Sequence, residues 1–291
     1  MARAAAGRVI LRIEDIDSSR VRPGMAELAM ADLRWLGLDW DEGPDVGGGS
    51  GPYVQSARLD HYEKALDRLK RLELVYPCTC TRAEIQRMAS APHAGEEGPI
   101  YPGTCAGRSA RDGARLAGCR FSWRFRVEPG EVSWDDLFKG PIALDPSQMV
   151  GDFVVGRSEG GPSYQLAVVV DDAEMGVTQV IRGDDLVSST PRQMLLYRAL
   201  GYDHPRFGHV PLVIGPDGRR LAKRDDSIKL AMLREQGIDP RWLVGRIGET
   251  IGLGYGGPAR PSDWVGRFAP ASVPRGMVVL DPGARESSFP G

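Results

Sequence analysis

The sequence predicts an α/β protein, and three observations carry that expectation. Apolar, β-branched runs at residues 9–13 and 164–170 end in carboxylates, as buried strands do where they leave a sheet. Between such runs lie stretches with helical spacing of apolar residues, at 25–36 and at Leu59–Arg71. Glycine and proline punctuate the joins, at Gly37, at Gly160-Gly161-Pro162 and at Gly215-Pro216-Asp217-Gly218. The 291 residues hold one large or two modest domains.

Bulk properties exclude several classes. Lys+Arg 37 against Asp+Glu 39 leaves a net charge of −2, so the chain is no global polycation, although a local basic face would suffice for nucleic acid. No apolar run reaches the roughly 18 residues of a membrane span, and residues 1–8 lack the apolar core of a secretory signal. Four cysteines in a chain this long do not make a disulfide framework, and the cytoplasm is the expected compartment.

In chain order, residues 9–13 read as a strand delivering Glu14, Asp15 and Asp17, a set suited to a metal, a substrate ammonium or a helix cap. Two amphipathic helices follow, separated by a Gly-rich acidic loop at 39–52. Thr81-Arg82-Ala83-Glu84 has the form of a capping box opening a short helix. Around it stand Cys78, Cys80 and Cys105, soft ligands that suit a closed zinc site, with His93, Tyr101 and Cys119 as candidates for the fourth position. Residues 119–127 alternate with period 2 and set Arg120, Arg124 and Arg126 on one face, either half solvated or facing RNA. Residues 132–148 are turn-rich, and 152–157 form another short strand.

The run 164–172 is expected to be a core strand ending in Asp171-Asp172, and 176–181 a second one that delivers Arg182. Ligands sit beyond the carboxyl ends of such strands, where a Tyr, an Arg and several Asp suit a small zwitterion. A helix from Ser188-Ser189-Thr190-Pro191 to Leu200 and a strand at 207–214 lead to Arg219-Arg220-Leu221-Ala222-Lys223-Arg224. That basic run is either a solvated loop or a polyphosphate clamp. Asp239-Pro240 opens a last helix, and the remaining forty or so residues are rich in Gly, Pro and Arg.

These pieces, in order from Gly7 to Leu253, resemble the catalytic half of class I glutamyl-tRNA synthetases, and in particular the family's short paralogues. The resemblance implies a Rossmann-like catalytic domain at 1–75 and 161–230, an inserted zinc-binding subdomain at 76–160, and a short helical part at 231–291. It implies ATP-dependent activation of glutamate, with Mg2+, and transfer to the queuosine base in the anticodon arm of tRNA(Asp). By similarity, Glu14 binds the substrate ammonium, and Tyr164 and Arg182 bind carboxylate oxygens, for which a guanidinium fork is apt. Arg220, Leu221, Ala222, Lys223 and Arg224 occupy the place of the family's KMSKS loop, with Lys223 on the ATP phosphates. Cys78, Cys80, Tyr101 and Cys105 match the family's zinc ligands, which leaves His93 and Cys119 out. Asp171 and Asp172 are expected to order the pocket. No His-x-Gly-His motif surrounds His61, His93, His204 or His209, so the family's ATP-binding helix is not in the sequence. A start codon assigned too late is the preferred account, a degenerate remnant the other. A catalytic fragment of a glutamyl-tRNA synthetase and a non-catalytic zinc-containing tRNA-binding paralogue are the alternative readings, and a monomer is expected.

Overall fold

A computed structural model of the chain describes residues 1–17, 21–88, 99–215, 218, 230–253 and 257–279. Residues 9–13 run between two loop segments, joined by isolated parallel bridges of Ile10 with Glu42 and Ile13 with Val54. The expected first strand is therefore only a bridged segment. Its neighbours belong to a glycine-rich turn and to the lead-in of a 3-10 turn at Gln55–Arg58, and each offers one pairing residue. Helix α1 (Met25–Trp35) closes at Gly37, whose φ of 80° suits glycine alone. Helix α2 (Leu59–Arg71) buries Tyr62, Ala65 and Leu69, one stripe at helical spacing, as its sequence predicts.

Strand β1 (Val75–Cys78) follows, then α3 (Arg82–Met88). The capping box is formed: Thr81 Oγ1 accepts from the Glu84 amide at 3.2 Å and Glu84 Oε2 from the Thr81 amide at 2.7 Å. After the short helix α4 (Asp112–Arg115) come β2 (Ser122–Phe125), β3 (Val132–Asp136), β4 (Gly140–Leu144), the single turn α5 (Pro146–Met149) and β5 (Phe153–Gly156). Strands β1, β2 and β5 form one antiparallel sheet, and β3 and β4 pair as a hairpin. The hairpin lies in the stretch expected to be mere turns; its alternating burial along β3 was masked in sequence by Asp135 and Asp136.

The largest departure concerns residues 164–172. They form helix α6 (Tyr164–Glu174), not a strand, capped by Ser163, whose hydroxyl accepts from the Leu166 amide. Every residue from Leu166 to Asp172 is buried, so the helix is apolar nearly all round and shows neither period clearly. Packing between α2 and its successor overrides the β-branched composition. After Gly176 come β6 (Gln179–Gly183), α7 (Ser189–Leu200) and β7 (Arg206–Val210). Strand β7 returns parallel to β6 with Arg182 opposite His209. Leu166, Val169 and Val170 of α6, Leu196, Tyr197 and Leu200 of α7, Tyr62 and Leu69 of α2, and Phe125, Trp134, Phe153 and Phe207 form the core. Burial of each such side chain contributes about 1.5–3 kcal/mol.

Strand β8 (Val213–Ile214), α8 (Leu230–Glu235), α9 (Pro240–Thr250) and β9 (Val278–Val279) complete the described elements, with β8 and β9 parallel. Asp239 caps α9, and Arg234 of α8 pairs with Asp32 of α1 at 2.7 Å. Pro261–Trp264 form a short 3-10 turn. Among the described residues no helix is long and apolar enough to cross a membrane.

Candidate active site

Two centres gather the residues singled out in the sequence. The first lies where residues 9–14, the start of α6 and the end of β6 meet. Glu14 hangs from the bridged segment, half exposed, with Oε1 2.9 Å from Nη2 of Arg12. Tyr164 is the first residue of α6 and is 38 % exposed. Partial burial and then the charge of Glu14 raise its hydroxyl above the ordinary tyrosine value, while Arg182 opposes them. Arg182 in turn feels Tyr164 and Asp172, so Glu14, Tyr164 and Arg182 share one electrostatic neighbourhood.

The Arg182 guanidinium is held by neutral acceptors. Nε donates to Nε2 of His209 at 3.1 Å, Nη1 to Oε1 of Gln193 at 2.8 Å and Nη2 to Oγ1 of Thr190 at 2.8 Å. Among the described residues no carboxylate lies within ion-pair distance of it. Burial accordingly lowers its pKa. Thr190, Gln193 and His209 are themselves buried, and none was singled out in the sequence. A lone histidine in an apolar strand and two polar residues at a helix start carry no motif, and the signal lies only in their burial together.

Asp171 and Asp172 play a different part. Asp171 accepts from Nε of Arg58 at 2.7 Å, Nε2 of Gln55 at 2.8 Å and the Tyr62 hydroxyl at 2.9 Å, entirely buried. Asp172 accepts from Nη1 of Arg12 at 2.7 Å and from the Tyr197 hydroxyl at 3.4 Å. Burial disfavours the Arg12 charge, but Asp172, Glu14 and Asp171 outweigh it and raise its pKa. Arg12 thus ties the Glu14 segment to α6.

The second centre is a cysteine knuckle at the end of β1. The Sγ atoms of Cys78, Cys80 and Cys105 lie within 4.8 Å of one another, and those of Cys80 and Cys105 are 3.7 Å apart. The Tyr101 hydroxyl points in, 3.3 Å from Cys78 Sγ and 3.8 Å from Cys80 Sγ. A tetrahedral zinc with bonds of about 2.3 Å to sulfur would set sulfurs roughly 3.8 Å apart, so the donor set fits the ion. Burial pushes the Cys80 thiol up to about 11. Burial also works against a Cys105 thiolate, yet hydrogen bonding from Thr79, Tyr101 and Cys80 brings it down to about 7. Cys119 is exposed and stands outside this group, and His93 lies outside the described residues.

Arg124 in β2 and Arg126 just beyond it depart from the expected solvated or RNA-facing row. Arg124 is buried and stacks 3.9 Å from the Tyr101 ring centroid, and its Nη1 donates to the Asp152 carbonyl at 2.7 Å. Arg126 lies over Tyr76 at 4.6 Å and donates to the Ala106 and Arg108 carbonyls. Both hold the cysteine loop, so the expected row is solvated only at Arg120, which is exposed. Arg220, Leu221, Ala222, Lys223 and Arg224 fall outside the described residues.

The chain matches the family model of the class I tRNA synthetases (E and Q), catalytic domain, over residues 1–252, and it belongs to that family. Its relatives include a protein named Glutamyl-Q tRNA(Asp) synthetase from Symbiobacterium thermophilum, 54 % identical over 283 residues that cover 96 % of this chain and 87 % of the relative. Another of that name, from Nitratidesulfovibrio vulgaris, is 48 % identical over 281 residues, with the same 96 % and 87 % coverage. Among solved structures, glutamate-tRNA synthetase from Elizabethkingia anophelis aligns with a TM-score of 0.82 at 24 % identity, over 97 % of this chain and 63 % of that one. That likeness speaks for the fold, which is the class I synthetase catalytic fold.

Proposed function

We propose that the chain activates glutamate with ATP and passes the glutamyl group to the queuosine base in the anticodon of tRNA(Asp), a reading supported by relatives that carry the name Glutamyl-Q tRNA(Asp) synthetase. The observation that carries the reading is Arg182, a half-buried cation whose described hydrogen-bond partners are all neutral and which has no carboxylate at ion-pair distance among the described residues. A substrate carboxylate supplies one, with a planar fork to receive it. Tyr164 adds a hydroxyl to the carboxylate, and Glu14 takes the ammonium. In the first step a carboxylate oxygen of glutamate bonds to the α-phosphorus of ATP, and the bond to the bridging oxygen breaks. Pyrophosphate leaves with that electron pair. A nucleophilic oxygen of the acceptor then takes the glutamyl carbonyl and AMP leaves. Lys223, with Arg220 and Arg224 and the Leu221-Ala222 backbone, is assigned to the ATP phosphates alongside Mg2+.

The cysteine knuckle is assigned one structural zinc, bound by Cys78, Cys80, Cys105 and Tyr101 within an inserted subdomain at 76–160. Bound there, the ion would cross-link β1 to the loop carrying Tyr101 and Cys105. We expect about one zinc per chain by elemental analysis, falling below half in Cys105→Ser, with a lower melting temperature.

The test of the activity is ATP–pyrophosphate exchange with glutamate and no tRNA. Exchange is expected. Its absence from folded protein sinks the reading, and exchange that appears only on adding tRNA(Glu) favours a glutamyl-tRNA synthetase fragment.

A further inference from the structure

Behind Arg182 lies a buried pair outside the roles assigned above. Nδ1 of His209 is 2.5 Å from Oδ2 of Asp136, and both side chains are fully buried. The other oxygen of Asp136 accepts three backbone amides, from Phe138 at 3.0 Å, Lys139 at 3.1 Å and His209 at 3.1 Å. Asp136 is thus surrounded by donors and stays a carboxylate, and Nδ1 of His209 must carry a proton toward it. Nε2 is left as an acceptor. It faces Nε–H of Arg182 at 3.1 Å and the hydroxyl of Thr190 at 3.2 Å, which itself accepts from Arg182. Each donor and acceptor in this set finds its complement in one tautomer only.

The fold makes room for the pair. Asp136 ends β3 and reaches His209 because the hairpin crosses β7 at Gly208, where a Cβ would lie 2.7 Å from the Phe138 ring and 3.1 Å from Leu137 Cβ. The Leu137 amide donates to the Phe207 carbonyl at 2.9 Å across the same crossing.

We propose that Asp136 and His209 are positioning residues for glutamate recognition. Asp136 holds His209 as the neutral Nδ1–H tautomer, and its Nε2 then orients the Arg182 fork without neutralising its charge. A carboxylate in the place of His209 would align the guanidinium equally well but would cancel the charge the substrate needs. A neutral imidazole aligns it and leaves the charge available. This inference rests on the carboxylate-binding reading of Arg182.

The test compares Asp136→Asn with Asp136→Ala. In the asparagine variant the three backbone amides retain the carbonyl oxygen, so the NH2 group must face Nδ1. The ring is then driven to the Nε2–H tautomer, which sets donor against donor at Arg182, much as a carboxamide beside a catalytic imidazole selects the wrong tautomer. In the alanine variant the ring is free to keep Nε2 unprotonated, although three amides lose their acceptor. Glutamate affinity by calorimetry is therefore expected to fall at least about tenfold in Asp136→Asn and less in Asp136→Ala. The melting temperature is expected to fall more in Asp136→Ala. A purely structural role predicts that affinity follows stability, so a larger affinity loss in the alanine variant overturns the proposal. Nitrogen-15 shifts of His209, recorded without ligand, give a second reading even where Asp136→Ala fails to fold. Nδ1–H in the native chain and its inversion in Asp136→Asn are expected, and an Nε2–H ring in the native chain overturns the proposal. A native chain with the Nδ1–H ring that binds no glutamate overturns the substrate reading instead.

Discussion

Arg12 and Arg182 are both shielded from solvent and both feel the charge of Asp172, yet their surroundings are opposites. Arg12 touches Asp172 at 2.7 Å, Glu14 at 2.9 Å and Asp171 at 3.4 Å. Arg182 touches an imidazole, a carboxamide and a hydroxyl. The first cation is answered within the protein and fastens two parts of the chain together. The second is aligned with no carboxylate at ion-pair distance among the described residues, so the proposed substrate carboxylate would offset more of its desolvation. Burial of a charge alone therefore does not mark a binding residue, and it is the neutral surroundings of Arg182 on which its proposed carboxylate-binding role rests.

The contrast can be broken by substitution. Arg12→Met leaves Asp172 buried without its cation and should lower the free energy of urea unfolding by about 3–5 kcal/mol. Arg182→Ala should cost at least about 100-fold in glutamate affinity, roughly 2.7 kcal/mol, read by calorimetry. Its urea stability should change by less than half as much as that of Arg12→Met. Equal losses of stability in the two variants would erase the distinction.

A pH series sharpens it. Burial lowers the pKa of His209 below the ordinary value of 6.5, and hydrogen bonds from His209 and backbone amides hold Asp136 low against its own burial. Both groups have depressed folded values, so their contribution is fully present above the unfolded value and is lost as pH falls. His209 acts first: below about pH 6.5 the unfolded chain takes up a proton that the folded chain refuses, costing up to roughly 1.4 kcal/mol per pH unit. Urea unfolding at pH 7.5 and 5.5 should show this fall, and His209→Asn should flatten it. The smallest effect is a control remote from both arginines. Asp239→Ala removes the cap that accepts from the Arg241 amide and should cost about 1 kcal/mol of stability with glutamate affinity unchanged.

Much of this was legible in the sequence wherever local chemistry decides structure. The amphipathic stripe of α2, the Thr81–Glu84 box, Gly201 closing α7 and Asp239 opening α9 are all determined within a few residues. The cysteines and Tyr101 were found by spacing and resemblance, and they do come together. Residues 164–172 misled because a helix buried on every side has the composition of a core strand, and only Ser163 marks its start. Arg124 and Arg126 misled because their alternation is real but their face meets Tyr101 and Tyr76 rather than solvent. The Asp136–His209 pair was invisible for a different reason. Its members are 73 positions apart and meet only because a hairpin crosses β7 at a glycine.

The in-register pairing of Arg182 with His209 also bears on how the molecule assembles. Slipping β7 by one residue would set Gly208 or Val210 opposite Arg182 and send the imidazole to the far side of the ribbon. Helices α2, α6 and α7 form from neighbouring residues, whereas this alignment awaits closure of a 27-residue separation and docking of the distant hairpin. Contacts so far apart in sequence mature late. In refolding, helical signal should therefore return before the capacity to bind glutamate, which makes ligand capture a kinetic gauge of when the last strand finds its place.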